Sequence, residues 1–319
     1  MRGLDRMRII DRRAKPASPT GCAGWHDCCI LATGNGAALR PATSRMFRSV
    51  TSSTAVLAGL SLLALSPPSP AASPSANPQA PISVDAGWIE AGIEHHSLSD
   101  GFGDWQGGYL RGIWKPDPAD VINYELVDTK RFGETGAYGA LGLTRTLNDR
   151  WYGTATLGVG DGAFFWPSWR VDVAINRKWL ADRSLVTTLG YTHYQAPDGH
   201  VDRTGLLGIA WYARHHLVLE AGVRPNRSSP GGINSTAGFA AITWGEDGRQ
   251  YLSLRHDRGR EAYQTIGQDI QLVDFPSHVT AISWRRWVTR RCGFNLRVER
   301  YANANYARQG GDAGVFCGF

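Results

Sequence analysis

From residue 84 onward the chain is written in runs of about ten residues whose side chains alternate between apolar and polar, and this period limits its fold more than any other feature. A strand projects successive side chains to opposite faces, so a run that alternates throughout needs an apolar medium on one side and a polar one on the other. Trp151, Gly153, Ala155, Leu157 and Val159 alternate with Tyr152, Thr154 and Thr156. Trp169, Val171, Val173 and Ile175 alternate with Arg170, Asp172, Asn176 and Lys178, and Leu217, Leu219, Ala221 and Val223 with Glu220 and Arg224. Residues 135 to 147, 184 to 194 and 276 to 287 alternate poorly and carry no assignable apolar face.

Between the runs, short turns fall at Pro116 to Ala119, Asn148 to Arg150, Leu180 to Arg183, Ala213 to His215, Glu246 to Arg249 and Thr289 to Arg290, with longer loops rich in Gly, Pro and Asp between them. Trp114, Trp151, Trp179, Trp211, Trp244, Trp284 and Trp287 all lie beside those short turns. An amphipathic indole is favoured at the level of lipid headgroups, so tryptophans gathered at one end of successive hairpins read as an aromatic girdle. The core of a soluble sandwich does not require that placement. The expected fold is all-β: an antiparallel transmembrane β-barrel of about fourteen strands, uncertain by about two because residues 262 to 275 read as loop or strand, with short periplasmic turns and longer extracellular loops.

Composition agrees. The 319 residues include 12 Trp, 11 Tyr and 38 Gly, with only 19% charged residues. The formal net charge of +6 would suggest a nucleic-acid partner, but it is concentrated at the start. Residues 1 to 71 hold nine of the 34 Lys and Arg and three of the 28 Asp and Glu, so 25 of each remain in the body. There the bases are interspersed with acids rather than gathered into a patch, and nucleic-acid binding is not expected.

Met46, Phe47 and Arg48, the apolar stretch Ala55 to Leu65, and the small residues Ser69 to Ala72 have the order of a secretory signal peptide. That apolar stretch of about eleven residues is short of the roughly twenty a membrane-spanning helix needs. Residues 1–45 are expected to be an upstream extension without packed structure, 46–72 the signal peptide, 73–83 a Pro- and Ser-rich spacer, and 84–319 the barrel. Cys22, Cys28 and Cys29 lack the paired CxxC spacing of a zinc module.

The last stretch, Arg291 to Phe319, reads as a closing hairpin. Cys292, Phe294, Leu296 and Val298 share one face, and Ala313, Val315, Cys317 and Phe319 share one on the return strand. A turn between Tyr301 and Arg308 sets Cys292 opposite Cys317, close enough for a disulfide. The rival reading is two free thiols packed as small hydrophobes at the rim. A chain ending on Phe319 after such a strand looks like the carboxyl-terminal signal of bacterial outer-membrane barrels, read by the barrel assembly machinery.

Arg131-Phe132-Gly133, Gly136-Ala137-Tyr138, Phe165-Trp166-Pro167 with Trp169-Arg170, Tyr306 to Gly311, and Asp104-Trp105 follow one another in an order that resembles the YaiO-like outer-membrane β-barrel proteins. The resemblance spans Ala86 to Phe319. It implies an integral barrel of the bacterial outer membrane, with an association with surface-polysaccharide systems, and it transfers no catalytic residue.

Inward positions include Arg111, Glu125, Arg170, Asp172, Glu220, Arg224, Arg297 and Glu299, together with Glu90, Glu94, Asn123, Arg131 and Lys178. A lumen of both signs is either a closed lattice of ion pairs or a pore lining, and fourteen strands lie between filled barrels of about eight and open ones of about sixteen. The expected function is therefore a structural barrel or narrow channel, linked through the family to surface polysaccharide. The alternatives are a diffusion or polysaccharide-export porin, and a lipid-modifying hydrolase built on His95, His96 and Ser97.

Exposed aromatics Phe102, Phe164, Phe165 and Trp166 would stack on a glycan or form the outer interface belt. Gly158 to Gly162 lacks the Lys of a phosphate loop, and the sequons at Asn226 and Asn234 read as exposed loop. The remaining histidines show no ligand spacing, so neither cofactor nor metal is expected, loop-bound calcium being the weakest alternative. Expected partners are outer-membrane lipid or lipopolysaccharide, the assembly machinery and a surface glycan, with the barrel as a monomer.

Overall fold

In a computed structural model, which describes residues 86–213, 215–267 and 270–319, the alternating runs become fourteen strands. In chain order they are β1 (Gly87–Leu98), β2 (Trp105–Asp117), β3 (Asp120–Arg131), β4 (Glu134–Thr146), β5 (Trp151–Gly160), β6 (Trp169–Trp179) and β7 (Leu185–Gln195). There follow β8 (Val201–Ala213), β9 (Leu217–Ser229), β10 (Ile233–Glu246), β11 (Gln250–Gly267), β12 (Ile270–Trp287), β13 (Cys292–Asn303) and β14 (Ala307–Gly318). Each pairs antiparallel with its neighbours in sequence, and β1 also pairs with β14, from Trp88 opposite Gly318 to Leu98 opposite Arg308. Closure leaves no edge with unpaired backbone groups, which a sheet in lipid requires. Extension 1–45, export segment 46–72 and spacer 73–83 lie outside the described residues.

The outer wall is apolar. Ile93, Leu126, Leu141, Leu157, Val173, Leu189, Leu207, Val223, Ile242, Leu254, Ile282, Val298 and Val315 are all exposed, one on each strand except β2. A continuous belt of this extent would drive aggregation in water, and it fits the lipid-facing band of a membrane barrel.

The runs that alternate poorly are also strands with two faces. In β4, Gly136, Tyr138, Gly142 and Thr144 face inward, as do Val186, Thr188, Thr192 and Tyr194 in β7 and Ser277, Val279, Ala281, Ser283 and Arg285 in β12. Their pattern is faint because Gly, Ala, Ser and Thr occupy inward positions that charged residues fill elsewhere. Residues 262 to 275 mostly belong to β11 and β12, both 18 residues long, with a register irregularity between Thr265 and Gly267.

Connections at the rim beside the tryptophans span from 118–119 to 180–184 in length. At the opposite rim they run from 132–133 to 161–168, so much of the polar sequence there is built into extended strand. The hairpin at Phe132 and Gly133 turns on two residues of positive φ, 46° and 86°, which a tight turn matched to sheet twist needs.

Candidate functional site in the barrel interior

All twelve charged residues expected inside, Arg111, Glu125, Arg170, Asp172, Glu220, Arg224, Arg297 and Glu299 with Glu90, Glu94, Arg131 and Lys178, are buried within the wall. Burial of charge is tolerable only where partners replace water, and several of these carboxylates hold cations directly. Glu90 on β1 accepts hydrogen bonds from Tyr109 and Arg111 on β2 and from Asn295 on β13, and its Oε2 lies 3.6 Å from Arg285 Nη1 on β12. Glu299 accepts from Arg297 and Arg308, each at 2.7 Å, and lies 3.8 Å from His96 Nδ1. His96 also sits 3.2 Å from Glu94.

A short device recurs. Arg170 donates to Asp172 through two nitrogens at 2.7 and 2.6 Å, and Arg255 donates to Asp257 in the same way at 2.7 and 2.9 Å. Residues i and i+2 of a strand share a face, so an Arg-x-Asp or Arg-x-Glu run pairs with itself inside the barrel; Arg297 and Glu299 are the third case. Thr192 donates to Asp172 at 2.6 Å, and Arg224 to Asp257 at 3.1 Å. Farther round, Ser228 and Asn226 donate to Asp202, and Thr204 to Asn226.

Sequence reasoning missed Arg255, Asp257, Arg285, Asn295, Arg308 and Asp312. The Arg-x-acid spacing would have found the first two. The register that pairs Cys292 with Cys317 also sets Arg297 opposite Asp312, which would have found the last. Arg285 lies in a run of weak contrast, and only its neighbours show its orientation.

Above and below this lattice the lumen is apolar. Toward the turn rim, Trp88, Ile113, Val121, Tyr152, Val186, Ala210 and Phe316 pack together, with Tyr212 and Trp287 against them. These residues come from β1, β2, β3, β5, β7, β8 and β14, so opposite walls meet and the interior has a floor. The Arg285 guanidinium lies 3.6 Å from the Phe316 ring centre, 4.7 Å from Trp88 and 4.9 Å from Trp287. Toward the other rim, the connection 161–168 folds inward. Ala163, Phe165 and Trp166 are buried against Tyr109, Val127, Tyr138 and Tyr194, with Trp166 stacked on Tyr138 at 4.7 Å. Beside them Ile266, Leu272, Phe275, Val279, Tyr301 and Tyr306 form a further apolar cluster.

Several expectations change. Phe165 and Trp166 are not exposed for a glycan or an interface belt but buried in the lumen; Phe164 packs against the same cluster and Phe102 against the neighbouring one. Trp287 is not part of the outer girdle. Period two from Arg285 turns it inward, where it meets Phe316 at 5.1 Å and Tyr251 at 5.8 Å. Asn226 does not mark an exposed loop, since it is buried on β9 within the Asp202 network.

On the outside, Trp114, Trp211, Trp244 and Trp284 are exposed. Trp151 and Trp179 are half-buried around the Arg177 guanidinium, at 5.3 and 3.7 Å. Cys292 and Cys317 are joined in a disulfide on the outer face. Phe319 exchanges backbone hydrogen bonds with Gly87 at 3.0 and 3.2 Å, fastening the chain end to β1. His95 points outward, 3.4 Å from Asp104, while His96 points into the lumen, so the two rings lie on opposite faces of β1.

The family described as YaiO membrane beta barrel domain matches residues 87–264. No curated protein matches the chain. Among solved structures, the CymD monoaromatic hydrocarbon channel superposes with a TM-score of 0.52 at 5% identity, over 74% of this chain and 89% of that one. The P. putida toluene transporter TodX gives 0.48 at 10% identity over 74% and 90%. The anion-selective porin from Comamonas acidovorans gives 0.44 at 7% over 73% and 98%. At such identities the likeness is one of fold alone.

Proposed function

Because this chain belongs to the YaiO membrane β-barrel family, we propose that it is an integral barrel of the bacterial outer membrane whose interior is permanently filled, a structural component of the envelope rather than a diffusion pore. One observation carries the reading: the lumen-facing Arg111, Arg170, Arg224 and Arg285 are each at most 2% exposed. A conducting pore wets its lining, whereas each of these cations lies against a carboxylate of the protein and between apolar layers. In this reading the barrel is a monomer, exported through segment 46–72, inserted by the assembly machinery and bathed in outer-membrane lipid. It carries out no catalytic step and uses neither cofactor nor metal. The test is single-channel recording in planar bilayers with protein whose folding is checked by heat-modifiable mobility. Silent bilayers are expected, and discrete conductance steps would sink the proposal.

A second reading, service to a surface-polysaccharide system, is favoured by a half-enclosed cup of about 530 Å³ at the turn rim. Its lining includes Tyr212, Tyr251, Asp182, Arg183, Glu246 and Asp247, a mixture of aromatic faces and charged groups suited to sugar rings and hydroxyls. Calorimetric titration with envelope oligosaccharides tests it, with Tyr212→Ala as the variant. No heat of binding to the unaltered protein would end this reading.

A further inference from the structure

The outer wall carries cations that the filled lumen does not explain. On β7, β8 and β9 the register sets His193 opposite Arg203 and Arg203 opposite Arg227, all on the outward face. Farther round, Arg258 on β11 faces His278 on β12, and Arg300 on β13 faces Thr280. Arg203, Arg227, Arg258 and Arg300 are exposed, and among the described residues none of them has a carboxylate partner; Arg260 nearby does, in Asp274 at 2.9 Å. Cross-strand neighbours bring their Cβ atoms to about 5 Å, and like charges set directly opposite destabilise a sheet unless something answers them. Here two arginines are opposed with a histidine on their flank.

Their height says what answers them. Arg227 lies ten residues along β9 from Leu217 at the turn end. That is about 33 Å of strand at ~3.3 Å per residue, and a rise of about 25 Å at a usual tilt of roughly 40°. A rise of that size is the thickness of an outer-membrane barrel's apolar band. Below Arg203 and Arg227 the same face continues as Leu207, Ile209 and Val223. Alongside, Trp169 stacks on His193 with ring centres 4.5 Å apart, an aromatic at the same level. The opposite half of this rim is balanced, with His95 beside Asp104 and with Asp128 and Lys130 both on β3.

We propose that the outward face of β7 to β13 at the loop rim is a docking surface for the phosphate groups of the phosphorylated glycolipid of the outer leaflet. The guanidiniums bind the phosphates, and the acyl chains lie down the apolar belt beneath. Arginine's planar fork suits bidentate phosphate contact, and a phosphate between Arg203 and Arg227 removes their mutual repulsion. The inference rests on the outer-membrane reading above, which sets this rim at the outer leaflet.

Native mass spectrometry of the full barrel, released from detergent with bisphosphorylated lipid A or with the same lipid A stripped of phosphate, tests the proposal. The unaltered protein is expected to retain the phosphorylated lipid about tenfold better, and R203Q/R227Q and R258Q/R300Q each to cut that preference to about threefold or less. Heat-modifiable mobility shows that each variant is folded. Equal retention of the two lipids by a folded barrel overturns the proposal and leaves the filled-barrel reading intact. So does an unchanged preference in both variants, or inorganic phosphate alone raising the melting temperature as much as the lipid does. A chain that never inserts as a barrel overturns both.

Discussion

Arg285 and Glu90 lie 3.6 Å apart in the barrel interior although 195 residues separate them in sequence, and each is shared with other groups: Glu90 with Arg111, Tyr109 and Asn295, Arg285 with the rings of Phe316, Trp88 and Trp287. The contact ties β12 to β1 across β13 and β14, so it forms only when the barrel closes. Replacing Glu90→Gln leaves Arg111 and Arg285 buried without their carboxylate. The expected cost is about 3 kcal/mol, read as a lower midpoint of denaturant unfolding in liposomes. An unchanged midpoint would show that the pair adds nothing.

The disulfide between Cys292 and Cys317 closes a sequence separation of 25 residues at the hairpin end nearest the turn rim. Chain-entropy arguments give about 3 kcal/mol for a loop of that length. The unreduced, alkylated barrel should therefore show neither cysteine modified, and the C292S/C317S double variant should unfold at lower denaturant. Alkylation of both residues in unreduced protein would contradict the expectation.

Conductance separates the lattice from the apolar layers. Replacing Trp166→Ala alone should leave bilayers silent, because the floor around Tyr152 and Phe316 still joins opposite walls. Combining it with Tyr152→Ala removes bulk from both layers and should give small, discrete steps. Steps from the single Trp166→Ala variant would locate the whole barrier at the folded-in connection.

The outer belt tolerates charge less than the lumen does. Leu141→Arg, at the middle of β4 on the exposed outer face, should cost about 2 to 4 kcal/mol in refolding into lipid vesicles. The same change at Leu147, in the turn between β4 and β5, should cost about 1 kcal/mol or less because it lies at the interface. Equal costs at the two positions would mean that Leu141 does not face hydrocarbon.

Alternation in the sequence by itself determined that this is a barrel, how many strands it has to within about two, which face each strongly patterned strand turns to lipid, and that Cys292 stands opposite Cys317, because strand geometry and hairpin register are local rules. The twelve expected inward charges were legible for the same reason. The family could also be read from the order of motifs such as Arg131-Phe132-Gly133. Only the tertiary structure decided which side chains meet across the lumen. Whether a ring of fourteen strands is hollow depends on side chains that meet across it, and Arg285 reaches Glu90 and Trp88 only after the last strand has paired with the first. The inward folding of Phe165 and Trp166 is likewise invisible in sequence, where an aromatic connection reads the same whether it lies over the rim or inside it. Trp287 follows the same principle: beside a short turn it reads as girdle, and the phase set by Arg285 buries it.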